Sequence, residues 1–450
     1  MGVKIFEKPK VTAPQNRLLV DPETEPEAPE KTRLRLGIIP LTDCAVIAVA
    51  KEKGYFKGEG LEVEISREGS WASIRDRVAL GDLDGAQMLA GMPLASALGV
   101  SGCFKPAVTA FSMDLNGNGI TVSSDLYERM EAADPEAMAC RPISARALRQ
   151  VILEDRRAGR PRMTFAMVFP VSSHNFSLRY WMASAGIDPD RDVELIVVPP
   201  PQMVAALQAR RIVGYCVGEP WNQHAVEIGI GRSLITGYEV WNNSPEKVFG
   251  VNRDWAERHP NTHRAVVRAL LEAARWMDAP ENREEVVDII ARRQYVDAPP
   301  DVVANSMTGT WRYSKDEPPV SMPDFNVFHR YAANFPWRSH AIWFLTQMVR
   351  WGQVEQPIDF RKIAESVYRT DVYRAAALDL GIATPPTDYK TEGSHESGWT
   401  LNWGGGAMEM GADRFFDGVP FDPAMPVEYL LGLPLGALKV DVNALRRANA

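Results

Sequence analysis

Two short stretches place reactive side chains where an α/β protein binds a ligand. Pro170-Val171-Ser172-Ser173-His174-Asn175 follows the apolar run Met163 to Phe169, and Gly218-Glu219-Pro220-Trp221 follows Ile212 to Val217. Ser172 or Ser173 caps the helix that follows, so His174 falls in its first turn. Gly218 lets backbone approach a ligand with no side chain in the way. Glu219 orients His174 or a neighbouring amide, or hinges the chain through Glu219-Pro220. Trp71 opens another helix directly after Ser70, and Gln87 and Asn118 are amides able to donate to an oxygen. Asn118 lies in Asn116-Gly117-Asn118-Gly119, which also reads as a turn. Lys247, judged by its own neighbours, is a solvated surface residue.

The elements that must position these residues come in two similar sets. From Arg160 to Pro220 the chain reads strand, Ser-capped helix ending at Gly186, buried strand at Val193 to Val198, helix from Gln202 to Ala209 opened by three prolines, and strand. Earlier, Leu34 to Ile39 is a strand, Ala45 to Lys53 a helix stopped by Gly54, Leu61 to Ile65 a strand, and Ser70-Trp71 opens a helix to Leu80. Leu83-Asp84-Gly85 answers Ile212-Val213-Gly214, and Gln87 falls where Cys216 does. Alternating strands and helices predict parallel sheets with right-handed crossovers, and ligands at the carboxyl ends of the strands. The expected architecture is therefore two related α/β lobes facing a ligand.

The 450 residues suffice for two or three cores, and 45% apolar with 24% charged residues is ordinary for a globular protein. A net charge of −8 gives no bulk attraction to nucleic acid, and no apolar run approaches the ~20 residues of a membrane span. Residues 1–32 are rich in proline and acidic side chains and read as a disordered arm. The arm has no apolar stretch before a small-residue cleavage site, so a cytoplasmic location is expected. Cys44, Cys103, Cys140 and Cys216 lack metal or redox spacing and read as buried free thiols, with no metal and no cofactor expected. Gly229-Ile-Gly231 does not continue into a dinucleotide motif, no phosphate loop or Gly-x-Ser-x-Gly occurs, and His259 and His263 read as a surface face. No enzyme is expected.

Beyond Thr236 the pattern turns helical: Trp255 to Met277 as one long amphipathic helix, then Glu284 to Arg293, Pro300 to Met307, Phe325 to Ala333 and Ile342 to Trp351. Thr384 to Met410 reads as a loop, and Phe415 to Leu431 as a closing segment with a helix from Pro426.

Several motifs, in order, carry a resemblance. They are Leu36-Gly-Ile-Ile-Pro-Leu-Thr-Asp-Cys44, Lys51-Glu-Lys-Gly-Tyr-Phe56, Ser70-Trp-Ala-Ser-Ile-Arg-Asp76, Ala86-Gln-Met-Leu89, Leu115-Asn-Gly-Asn118, Pro199-Pro-Pro-Gln-Met-Val204, Cys216-Val-Gly-Glu-Pro-Trp221 and Pro245-Glu-Lys-Val248. Together they resemble the nitrate- and bicarbonate-binding proteins of bacterial ABC importers and their cytoplasmic relative, the NasS-type nitrate/nitrite sensor. The resemblance runs from about Arg33 to Leu380 and resumes from Phe415 to Tyr429. It implies a two-lobed α/β periplasmic-binding-protein fold of type II with two interlobe crossovers. Lobe 1 would comprise 33–122 and 236–450, and lobe 2 would comprise 123–235. The implied function is a nitrate/nitrite sensor of nitrate assimilation whose partner is an RNA-binding antiterminator of the NasT type, released when the anion binds. The alternative is the nitrate-binding subunit of an importer. A relative of this fold that makes the thiamin pyrimidine uses a Cys-rich iron site, and no Cys cluster occurs here. The implied ligand residues are Trp71 as a pocket wall, Gln87, Asn118, His174, Gly218, Glu219 and Lys247. Lys247 is the position that separates nitrate binders from bicarbonate binders. The assignment is chemically apt: nitrate only accepts hydrogen bonds, and needs converging donors, a positive charge and a wall that excludes water.

Overall fold

The computed structural model describes residues 27–100, 102 and 105–450. Ten strands form two five-stranded sheets. Across the first the order is Glu62–Arg67, Arg33–Ile38, Gly85–Leu89, Lys247–Asn252 and Ala107–Ser112. Across the second it is Glu194–Val197, Thr164–Met167, Gly214–Gly218, Asn118–Ser123 and Gly231–Thr236. In each sheet the first three strands are parallel and the fourth runs against its neighbours. That fourth strand is the one that has just crossed from the other lobe, through residues 113–117 or 237–246. The correspondence extends to single residues. Lys247 pairs with Leu89, the last residue of its neighbouring strand, and Asn118 pairs with Gly218, the last residue of its own. Lys247 and Asn118 thus fill equivalent slots in the two lobes. This is the two-lobed, twice-crossed periplasmic-binding-protein fold that the sequence predicts.

Local chemistry explains the helices that face the cleft. Ser70 Oγ accepts from Ser73 N at 3.2 Å to start Trp71–Leu80, and Ser172 Oγ accepts from Asn175 N at 3.0 Å to start Ser173–Ser184. Because Ser172 is the cap, the Ser173 hydroxyl is left free for another partner.

Several expectations are corrected. The 255–277 helix is two, Arg253–Arg258 and Pro260–Asp278, because Pro260 lacks an N–H and fits only the first turn of a new helix. His263 is no surface residue: it is buried beside the Trp255 ring, and burial pushes its pKa down to about 4. Phe325 to Ala333 is not helical. Asn326–Val327 pairs with Leu115–Asn116 in the first crossing, and the Asp278 carboxylate accepts from the amides of Phe328, His329 and Arg330. Positive φ at Tyr331 and Ala332 excludes an α-helix there. The 384–410 loop contains a hairpin, Trp399–Trp403 with Gly406–Met410, whose partly buried Trp399, Leu401 and Trp403 alternate with exposed neighbours. The Glu194–Val197 strand lies at a sheet edge and is half exposed rather than buried. Cys44 and Cys216 are buried free thiols, Cys140 is exposed, and Cys103 lies outside the described residues. Of the expected arm, residues 1–26 also lie outside them. Glu30 accepts from the amides of Asn261 and Thr262 at the start of Pro260–Asp278, and Lys31 pairs with Asp84 at 2.5 Å.

The helical half reaches both lobes. Ala265, Val266, Leu270, Leu271 and Ala274 are buried where Pro260–Asp278 packs on Ala45–Glu52 and Thr370–Asp379. Arg338–Arg350 packs on Gly91–Ala97, yet its Trp343 also meets Phe176 of the second lobe edge-on at 6.5 Å. Further on, Phe415 stacks on Trp241 of the second crossing at 4.5 Å, and Tyr180 OH donates to Asp417 at 2.7 Å. The crossing is thereby strapped from outside.

Two substitutions test this packing. Phe176→Ala deletes a fully buried ring at the lobe junction and should cost about 3–5 kcal/mol of unfolding free energy by denaturant titration; a loss below about 1 kcal/mol contradicts the packing described. A Cβ on Gly91 would lie 2.2 Å from the Val171 carbonyl oxygen of the facing lobe. Gly91→Ala should therefore spread the lobes, seen as a larger radius of gyration in small-angle scattering with unchanged far-UV circular dichroism. An unchanged radius contradicts the close approach.

Candidate functional site

The two crossings and the facing helix starts converge on the Lys247 side chain, which is fully buried. An unpaired ammonium there would cost several kcal/mol, so its neighbours must answer the charge. Asp43 Oδ2 stands 2.8 Å from Nζ, and the Glu246 carboxylate is closer still. The Trp71 ring lies with its centroid 5.7 Å from Nζ. The backbone N–H of Lys247 donates to Asp114 Oδ1 at 3.0 Å.

The second lobe closes on the same point. His174 Nε2 is 2.9 Å from Glu246 Oε1. Glu246 Oε2 accepts from Asn118 Nδ2 at 2.9 Å and from the Ser173 hydroxyl. Gln87 accepts from the Ile39 amide at 2.7 Å through Oε1 and donates through Nε2 to Asp43. Gly218 lies between Asp43 and His174: a Cβ there would stand in ordinary contact with Asp43 Oδ2 at 3.5 Å and His174 Nε2 at 3.6 Å.

Of the seven residues singled out from sequence, Trp71, Gln87, Asn118, His174, Gly218 and Lys247 surround one cluster. Glu219 adjoins it differently. Its carboxylate turns to the Gln223 amide at 3.2 Å, not to His174, while its backbone carbonyl accepts from Thr42 N at 2.8 Å and joins the lobes. The cluster also contains Asp43, Asp114, Ser173 and Glu246, which were not singled out. The signal for the carboxylates was Lys247 itself: a lysine assigned to a closed cleft requires counter-charges, and Asp43 and Glu246 stood within the motifs already noted.

Burial works against charge throughout the group, and charge pairing overrides it at Glu246 and Lys247. Burial raises Asp43 despite Lys247, and holds Asp114 well above the usual carboxylate range, with repulsion from Asp43 adding to it. For Glu246 burial is outweighed by His174 and Lys247, which keep it ionised well below the usual range. Lys247 stays charged because Asp43, Glu246 and Asp114 overcome the burial that would lower it. His174 is lowered by burial, against the pull of the Glu246 carboxylate. Trp71 Nε1, Thr42 Oγ1 and both ring nitrogens of His174 are buried without a hydrogen-bond partner, the Nε2–Glu246 approach being a charge contact only. An ammonium, an imidazole, a hydroxyl and an amide converging beside an indole wall form a donor set matched to a small planar oxyanion. Among the described residues no group of three or more His, Cys, Asp or Glu is arranged to hold a metal ion, and no helix is long and apolar enough to cross a membrane.

Glu219 offers a pH test. Burial raises its pKa to about 8, so the folded chain holds a proton that the unfolded chain releases near the ordinary glutamate value. Its contribution is full below that ordinary value and is lost as pH rises through about 8. Glu219→Gln should flatten the fall in unfolding free energy between roughly pH 4.5 and 8. A slope identical to the wild type contradicts a protonated Glu219.

Comparison with known proteins agrees with this architecture. The nitrate import ATP-binding protein NrtC of Synechocystis sp. is 39% identical over 403 residues, covering 89% of this chain but 55% of that protein. The chain thus spans about half the length of that relative. The nitrate/nitrite binding protein NrtA of Nostoc sp. is 33% identical over 411 residues, covering 90% of this chain and 86% of that one. The crystal structure of the periplasmic nitrate-binding protein NrtA from Synechocystis PCC 6803 matches with a TM-score of 0.79 at 31% identity, covering 90% of this chain and 100% of that one. Residues 27–291 match the NMT1-like family, and with the fold, the twin crossings and these relatives in agreement, the chain belongs to the NMT1-like family.

Proposed function

We propose that this chain binds nitrate or nitrite between its lobes, without transforming it, through Lys247, His174, Gln87, Asn118, Trp71 and the backbone at Gly218, with Glu219 holding the lobe junction. The observation that carries the reading is the fully buried ammonium of Lys247 at the point where both lobes meet. A weakly hydrated monovalent anion is the ligand such a charge selects, and the indole of Trp71 supplies the water-excluding wall. Binding proteins for nitrate and nitrite among the relatives support the same ligand.

The proposed role is that of a cytoplasmic sensor in nitrate assimilation. Lobe closure around the anion changes the surface offered to an RNA-binding antiterminator of the NasT type and releases it. The second reading is the nitrate-binding subunit of an ABC importer, favoured by the match to a periplasmic nitrate-binding protein. Gel filtration with the antiterminator separates them: a complex that dissolves on adding nitrate or nitrite supports the sensor, and no complex in either condition rejects it.

The ligand is tested by calorimetric titration with nitrate, nitrite and bicarbonate. Lys247→Ala and His174→Ala should each weaken nitrate or nitrite binding by about 10- to 100-fold, the loss of about 1.5–3 kcal/mol expected for a charge-assisted contact. Bicarbonate binding indifferent to Lys247→Ala contradicts the assignment of the anion.

A further inference from the structure

The Glu246 carboxylate has the coordination expected of a bound planar anion. Its Oε1 stands 2.9 Å from His174 Nε2 and is in contact with Lys247 Nζ. Its Oε2 takes Asn118 Nδ2 at 2.9 Å and the Ser173 hydroxyl. Each oxygen thus lies against two of these groups, three of the four being hydrogen-bonded to the carboxylate, drawn from both lobes, and the side chain is fully buried. A carboxylate and a nitrate or nitrite ion present the same planar O–X–O edge with the same single charge. Three of these four residues, Asn118, His174 and Lys247, are those the proposed function assigns to the ligand. Glu246 is the last residue of the second crossing, and its carbonyl accepts from Ala90 N at 3.2 Å, which ties its main chain to the first lobe.

We infer that Glu246 is an internal competitor: its carboxylate occupies the donors that the diffusible oxyanion requires, and binding of that anion displaces the Glu246 side chain from the junction of the lobes. The inference rests on the reading of the site as an oxyanion site and adds a residue that sets its threshold. Two negative charges cannot share the donors of one, so each occupancy of the site by ligand requires one departure of Glu246. Apparent affinity is then the intrinsic affinity reduced by the fraction of molecules in which the donors are free.

The test titrates nitrate and formate, a minimal carboxylate probe, into wild type, Glu246→Ala and the shape-preserving Glu246→Gln, with thermal melts of each. Nitrate should bind Glu246→Ala about tenfold or more tightly than wild type, and Glu246→Gln should shift in the same direction. Formate should raise the melting temperature of Glu246→Ala and leave that of wild type unchanged. If Glu246→Ala does not fold, the tighter binding is required of Glu246→Gln. Weaker nitrate binding by the folded variants overturns the inference, since Glu246 would then be holding the donors in place for the ligand. Formate stabilising Glu246→Ala while no variant binds nitrate upholds the competitor and rejects nitrate as the ligand. Neither anion acting on a folded variant overturns the competitor.

Discussion

A single buried ammonium organises this molecule. Lys247 begins the strand that completes the first sheet, and its charge is satisfied by Asp43 after the first strand and by Glu246 beside it, with His174 of the other lobe reaching that same Glu246. A charge in a dry interior is tolerated only when matched, and both counter-charges stand on the first lobe's side; the second lobe closes onto the pair by bringing His174, Ser173 and Asn118 to Glu246. The close approach at Gly91, the helix starts at Trp71 and Ser173, and the strap around Trp241 and Phe415 hold that closure to a single geometry.

The fold was legible because its signals are local. Ser70 and Ser172 announce helix starts, and Gly85 with Gly214 mark corresponding strands, so the duplicated α/β plan could be read from residue types alone. Where structure is dictated by distant partners, reading failed. Phe325 to Ala333 has helical spacing, yet its amides are held by the Asp278 carboxylate and its backbone follows that anchor. The Trp399 hairpin did carry a period of two, hidden by the glycines at its turn.

The site was legible by halves. Donors such as His174 and Asn118 sit at strand and helix ends, where topology exposes them. The carboxylates Asp43 and Glu246 carry no such positional signal, because their part depends on the buried lysine they flank. Glu246 illustrates the point. Its sequence neighbour advertises a positive charge, and the need to neutralise that charge in the closed state is invisible until both are known to be buried.

The equivalence of Lys247 and Asn118 has a consequence for the bound state. Each opens the returning strand of its lobe, and each pairs with the last residue of the strand beside it. A cleft made from two identical halves would grip a ligand alike from either side, and the ligand could sit either way round. Here one half offers an ammonium and the other a neutral amide at the same station. The cleft has a polarity: a guest meets a positive charge from one half and a neutral dipole from the other, so the two ways round differ in energy for any guest whose ends differ.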